Sequence, residues 1–460
     1  MHRQRIPAIA TALTLLAVLA PMPLLLPDLN ERAVLAWHVL VHTDGAPVGL
    51  SHAAMLVLGS YVVLLVVRYV AFVAGSLLGG LRDDADADAE GNVPAGERGA
   101  GPAGRLPWPL VTIVVPAYNE GPVIRQSIRS LLRLDYPCFE VLVVDDGSSD
   151  DTYPRALEAS RGHGRVRVIR KANGGKASAL NVGLAHARGT LVLNMDADSK
   201  LSGNALRACV RHFRDPSVGA VAGNIKVVNR ENLATRLQAI EYIHGLGLER
   251  RAQDAIKAVS VIGGPLGMFR RDALREVGGY DSDTFAEDRD VTLKLLARGW
   301  LVTYEPQAMA WCESPSRWLD LLGQRYRWTR GTVQAVRKHR RWLWSLRTSP
   351  VMCLSLWYMT IDSFVVPVMS LAMLGFFGYL ALAYGSSEFL LLWWTQAALF
   401  DVAVTLYCVE FDGEDRALVP YALALRFYAI FTDVAKLLAT AEELFQVEMS
   451  WGKLVREGKL

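Results

Sequence analysis

The hydrophobic positions of this chain fall into three textures. Uninterrupted apolar blocks open it, at residues 6–26 and 52–81, and others close it, near 351–384, 389–409 and 417–440. A helix of about 20 apolar residues crosses a hydrocarbon core of about 30 Å. Both opening blocks and two or three of the closing ones therefore read as membrane helices. Arg68 interrupts the second block, which places it toward the cytoplasmic end, snorkelling, or facing a cavity. Arg426, Asp433 and Lys436 mark the last block as interfacial or channel-facing.

Between these blocks lie two other textures. Residues 82–107 are acidic and rich in Gly and Ala, a composition that cannot bury a core and reads as a flexible tether. From Leu110 a strand-like run, VTIVVPAY, precedes a helical pattern over 123–134, and the alternation continues through VLVVDD, VRVIR, ALNVGLAHA and LVLNMDAD. This rhythm predicts an α/β, Rossmann-like domain with a mostly parallel sheet between helices, flanked by transmembrane α-helices. Ligands in such sheets bind beyond the carboxyl ends of the strands.

Composition sharpens this plan. Hydrophobic residues make up 52% of the 460, high for a wholly soluble chain, while the formal net charge of +3 gives no case for a nucleic-acid partner. The basic and aromatic run at 337–344 reads as a membrane-interface segment. Five cysteines without a CxxC pair exclude a disulfide framework or a thiolate zinc site. Residues 1–26 resemble a secretory signal but lack a small-x-small site before Asp28, so they read as a retained helix, with Arg3 and Arg5 keeping the N-terminus cytoplasmic.

Candidate chemistry gathers at the predicted strand ends. Pro116-Ala117-Tyr118-Asn119-Glu120 and Asp145-Asp146-Gly147-Ser148 would face one another across neighbouring strands, where a ring can cover a base and a carboxylate can accept from base or ribose. Asn173-Gly174-Gly175-Lys176 lacks P-loop spacing but offers Lys176 to a diphosphate. Asp196 and Asp198 stand two residues apart after an apolar strand, oxygen donors suited to Mg²⁺ or Mn²⁺. A Gly-rich stretch, 263–271 with Gly264 at its heart, is expected to be a turn entering a helix. Asp283, Glu287, Asp288 and Asp290 follow, and Asp288 is the candidate base for a hydroxyl acceptor, with Glu287 beside it. Gln324, Arg327 and Trp328, at i, i+3 and i+4, share one helical face suited to sugar and phosphate.

Taken in order, VVPAYNE, VVDDGS, NGGKASALN, DADS, GGPLGMFRR, FAED and QRYRW resemble the processive family 2 glycosyltransferases, which include synthases of cellulose, chitin, hyaluronan and poly-β-1,6-N-acetylglucosamine. The resemblance spans roughly 110–347 and leans toward the bacterial poly-N-acetylglucosamine synthases, through GNIKVVNR, QRYRW and WGKLVREG. It implies a GT-A fold, a UDP-sugar donor such as UDP-N-acetylglucosamine, a divalent metal, inversion, and a growing polysaccharide as acceptor. Pro116, Tyr118 and Asp146 would meet uridine, Asp196 and Asp198 metal and diphosphate, Asp288 the acceptor, and Gln324, Arg327 and Trp328 donor and acceptor together. Ala286 stands where the family usually has Thr.

The expected organisation is a membrane region at 1–81, the tether at 82–107, a cytoplasmic catalytic domain at 108–347, a second membrane region at 348–440 and a tail at 441–460. It describes a multi-pass protein of the plasma membrane that couples synthesis to export, with room for a small accessory membrane subunit. A hyaluronan-, chitin- or cellulose-type synthase, a single-sugar transferase to a polyprenyl or lipid acceptor, and a catalytically inactive receptor or transport subunit are the competing readings.

Overall fold

A computed structural model describes residues 60–61, 63–80, 108–385, 387–410 and 413–447. The apolar block at 6–26, the tether and residues 448–460 of the expected tail lie outside the described residues; the first residues of that tail, 441–444, continue the last helix.

The β-branched runs form the expected strands. β1 (Val111–Ala117), β2 (Phe139–Asp145), β3 (Val166–Arg170) and β4 (Leu191–Asn194) pair in parallel and alternate with α2 (Ile124–Leu131), α3 (Thr152–Ser160) and α4 (Lys176–His186). α1 precedes them at Val63–Gly80. Ile124, Ile128 and Leu131 recur at helical spacing, and all three are buried under the sheet.

The second half departs from a purely parallel plan. After β5 (Ser199–Leu201), α5 (Ala205–Val210), β6 (Val218–Val227) and α6 (Leu233–His244), the Gly-rich stretch yields β7 (Gly267–Arg270) before α7 (Arg271–Glu276). The stretch expected to run from turn into helix thus contains a strand. Buried Met268 and Phe269 give β7 its hold, and it runs antiparallel to both β4 and β6. α8 (Glu287–Ala297) and β8 (Leu301–Cys312) follow; β8 is parallel to β6 and antiparallel to β5. The strand order is β3-β2-β1-β4-β7-β6-β8-β5, with parallel pairs in the majority.

Past the sheet come α9 (Trp318–Lys338), α10 (Pro350–Thr360), α11 (Val366–Tyr384), α12 (Ser387–Glu410) and α13 (Leu425–Leu444). Among the described residues, two segments are long and apolar enough to cross a membrane, Val63–Gly80 and Pro350–Ala383. Only 17% and 18% of their apolar windows is buried, unlike the core helix of a soluble protein. Val63, Val67 and Leu382 point outward on them.

Polar ties fasten the helices to the domain. Asp415, just before α13, is buried against Lys226 and accepts from Arg230 Nη1 at 2.5 Å. α1 packs so closely that a Cβ on Gly75 would sit 2.9 Å from Ala252.

Candidate active site

The site begins where the parallel strands end. Ala117 and Asp145 are register partners, and Met195, next after β4, donates its N–H to Val114 O of β1 at 3.1 Å. The PAYNE, DDGS and DADS motifs therefore line one sheet edge. Asn119 takes a left-handed turn (φ 51°), and its Oδ1 accepts from Ser149 N at 2.8 Å, locking the first two motifs together. Sequence reasoning assigned Asn119 no role. The signal available was an Asn directly after a strand run, since Asn tolerates the left-handed turn and bonds nearby backbone.

The two carboxylates at the end of β2 are already engaged. Asp145 is fully buried, with Arg170 Nε 3.2 Å away. Asp146 accepts from Gly174 N at 3.1 Å, Gly175 N at 2.8 Å and Lys171 Nζ at 2.5 Å. It thus holds the NGGK loop onto β2. Gly147 (φ 74°) makes this possible, since a Cβ there would stand 2.7 Å from Asn173 N. Tyr118 is half-exposed at the same edge, and Glu120 opens the turn into α2.

The next cluster is short of cations. Pro116, Lys176, Asn194, Asp196, Gly264, Glu287 and Asp288 converge on one recess. Lys176 Nζ reaches Asp196 at 2.7 Å and Glu287 at 3.2 Å, and the three carboxylates around it hold its pKa well above the usual lysine range. A Cβ on Gly264 would fall 2.4 Å from Asp196 Oδ2 and 2.6 Å from Lys176 Nζ, so any side chain there would push this ion pair aside. Asp198 is buried, and Ser199 Oγ donates to it at 3.4 Å.

Asp288 stands in the first turn of α8. Burial and the neighbouring Glu287 charge raise its pKa to about 6, against the opposing pull of Lys176, Arg289 and the Arg289 N–H at 2.7 Å. A carboxylate held near neutrality suits a general base. Asp290 faces the other way, where Asp281, Asp283 and Asp290 form an acidic group. Lys338 Nζ binds all three at 2.7–3.0 Å, and His339 Nε2 lies 2.8 Å from Asp290. That cluster is a clamp between α8 and the end of α9, separate from Asp196 and Asp198.

α9 brings Gln324, Arg327 and Trp328 to the wall of a cavity of about 1160 Å³ shared with Lys176, Asp196, Asp198, Gly264, Glu287 and Asp288. The predicted shared face is observed. Gln324 Oε1 already accepts from Arg325 Nη1 at 2.6 Å. Arg325, which the motif reading left unassigned, is buried against Glu241 and Tyr428, and its guanidinium lies 4.2 Å from the Trp328 ring centroid. Gly331 admits the close approach of Ala286, whose Cβ would be 2.6 Å from one added there. The cavity continues between the helices past Arg68, Asp362, Asp401, Arg426, Asp433 and Lys436, all on its wall. Arg68 faces this cavity, with Glu249 at 2.9 Å and Asp362 at 3.0 Å.

Residues 112–278 match the family model described as Glycosyl transferase family 2. Over 222 residues the chain is 33% identical to a poly-beta-1,6-N-acetyl-D-glucosamine synthase of Staphylococcus epidermidis, covering 48% of this chain and 54% of the relative. A synthase of the same name from Staphylococcus aureus (strain COL) is 34% identical over the same extent. The chain thus spans about half the length of these curated relatives. A solved mannosyltransferase of Pyrobaculum calidifontis, in complex with GDP-Man and Mn²⁺, superposes with a TM-score of 0.57 at 24% identity, covering 83% of this chain and 99% of the other. That likeness establishes the GT-A fold.

Proposed function

We propose that this chain is a membrane-embedded, inverting glycosyltransferase that moves a sugar from a UDP-sugar onto a growing β-linked polysaccharide. The observation that carries the reading is the single cavity running from the Asp196 and Asp288 carboxylates, past the Gln324–Trp328 face, to charged residues between α1 and the C-terminal helices. A product formed at one end has somewhere to go, which supports processive synthesis coupled to export. UDP-N-acetylglucosamine is the favoured donor, on the likeness to the staphylococcal synthases.

In this mechanism Asp288 takes the proton of the acceptor hydroxyl as its oxygen attacks the anomeric carbon and the bond to UDP breaks, inverting that centre without a covalent enzyme intermediate. Glu287 keeps the pKa of Asp288 high, and Trp328 offers its half-exposed ring to a sugar face. Lys176 and Arg327 face the diphosphate, and Pro116, Tyr118 and Glu120 edge the base pocket that Asp145 and Asp146 shape from behind. Holding donor and acceptor in line supplies much of the acceleration.

Asp196 and Asp198 would hold a divalent cation, Mg²⁺ or Mn²⁺. Both are hard oxygen donors, and an ammonium already sits 2.7 Å from Asp196. Such an ion, when bound, offsets charge on the departing diphosphate. The outward apolar faces of α1, α10 and α11 support a multi-pass plasma-membrane protein with a cytoplasmic catalytic domain.

The test is UDP release from membranes supplied in turn with UDP-N-acetylglucosamine, UDP-glucose and UDP-glucuronate, followed by linkage and length analysis. Long β-linked product supports the reading. One sugar on a lipid would replace it with the single-transfer alternative, and no UDP release from any donor would return the chain to the receptor class.

A further inference from the structure

Gln324 and Trp328 line the cavity, whereas Arg325, only 4% exposed, stands behind its wall. One residue along a helix turns a side chain by about 100°, which aims Arg325 away from the cavity and toward α6 and α13. There its Nη2 donates to Glu241 of α6 and, at 3.0 Å, to the Tyr428 hydroxyl of α13. That hydroxyl donates in turn to Glu241 at 2.6 Å. The charge is paired, and two neighbouring helices fix the plane of the guanidinium.

We propose that Arg325 is a positioning residue, which sets the amide of Gln324 and the ring of Trp328 in the orientation that grips a sugar of the acceptor chain. This rests on the transferase reading above and deepens it.

The amide is oriented by hydrogen-bond chemistry. A guanidinium carries donors and no acceptor, so the Gln324 atom that meets Arg325 Nη1 at 2.6 Å has to be the carbonyl oxygen. The two N–H donors then point the other way. Gln324 Nε2 makes no hydrogen bond among the described residues and is not sealed from solvent, on a residue of the cavity wall. Neutral sugar oxygens, hydroxyl or carbonyl, are acceptors that suit it. The ring is oriented by stacking. Arg325 and Trp328 are neighbours at i and i+3, and the guanidinium carbon lies 4.2 Å from the ring centroid. The cation backs one face of the indole, which stays 44% exposed for the apolar face of a sugar. A lysine at 325 could keep its charge beside Glu241. As a point charge without a planar fork, it could not also stack on the ring and hold the amide.

The test uses the full chain in nanodiscs and compares wild type, Arg325→Lys and Gln324→Glu. Turnover is read as UDP release, and binding of UDP and of a β-1,6-linked N-acetylglucosamine oligomer is measured by calorimetry. Arg325→Lys is expected to keep the wild-type Tm and UDP affinity, while oligomer affinity falls and acceptor KM rises by about ten-fold. Gln324→Glu keeps a partner for Arg325 but has no N–H to offer the cavity, so it should weaken the oligomer by a similar factor, and it reads the amide orientation even if Arg325→Lys does not fold. Full rescue of oligomer binding by lysine would overturn the proposal, because a charge that merely ties helices together would survive that change. So would wild-type oligomer affinity in Gln324→Glu, or no oligomer binding by wild type. Absence of UDP release from every donor would instead defeat the transferase reading, while oligomer binding still decides on Arg325.

Discussion

The two ends of the cavity are built from the same residue types in opposite balance. Between the helices, charges are matched: Arg68 and Lys436 share Asp362, and Arg426 pairs with Asp401 at 2.7 Å. At the sheet edge they are not. Asp196, Glu287 and Asp288 crowd around the Lys176 ammonium, and burial and Glu287 push the carboxyl of Asp288 up to about 6 despite the charges of Lys176 and Arg289. Matched charges give a polar wall that holds its shape. Unmatched ones give a site whose groups gain by taking a cation, a proton or a substrate.

The sharpest way to break this contrast is to remove charge at the crowded end. Asp288→Asn is expected to lower kcat by about 100- to 10,000-fold, the span of a lost general base, while UDP binding measured by calorimetry persists. Near-normal polymer synthesis would end the assignment. The same variant should raise the Tm at pH 8, where wild type holds a buried carboxylate whose ionisation opposes folding. The gain should nearly vanish at pH 3.5, where that carboxyl is protonated in the folded chain and mostly so in the unfolded one.

At the matched end the cost should appear in stability. Asp362→Asn leaves Lys436 facing a neutral amide while Arg68 keeps Glu249; the groups are half-buried, so the cost should fall below the about 3–5 kcal/mol of a fully buried pair, readable as lost thermal stability in detergent. If that variant melts like wild type but makes no polymer, the helix wall takes a direct part in the chemistry.

Acidity gives a milder test. Asp288 must be ionised to accept a proton, so kcat/KM should rise with pH through about 6 and fall roughly ten-fold per unit well below it. A profile flat from pH 5 to 8 would contradict the raised carboxyl. The smallest effect belongs to Asp283 in the clamp, which is exposed: Asp283→Asn should change stability by less than about 1 kcal/mol, measured by chemical denaturation.

Much of the site was legible because its residues sit at ends of strands that the β-branched runs announce. β1, β2 and β4 follow VTIVVPA, VLVVD and LVLN, and that alone puts Tyr118, Asp146 and Asp196 along one edge. What each carboxylate does there was not legible. The partners of Asp146 come from Lys171, Gly174 and Gly175 on the following loop, so a residue read as a base contact also holds that loop in place. β7 was missed because four residues, GMFR, carry too little periodicity to distinguish a strand from a turn.

The approach of Gly331 to Ala286 limits which sequences this scaffold tolerates. A methyl at 331 would meet the Ala286 methyl at 2.6 Å and its backbone nitrogen at 2.8 Å, so neither position can grow unless the other yields. Position 286 immediately precedes the acidic pair Glu287 and Asp288, and 331 lies three residues past Trp328. The segments that carry the proposed base and the proposed sugar platform therefore meet at this one glycine. Enlarging Ala286 to threonine would test whether the two halves of the site can be changed one at a time or only as a unit.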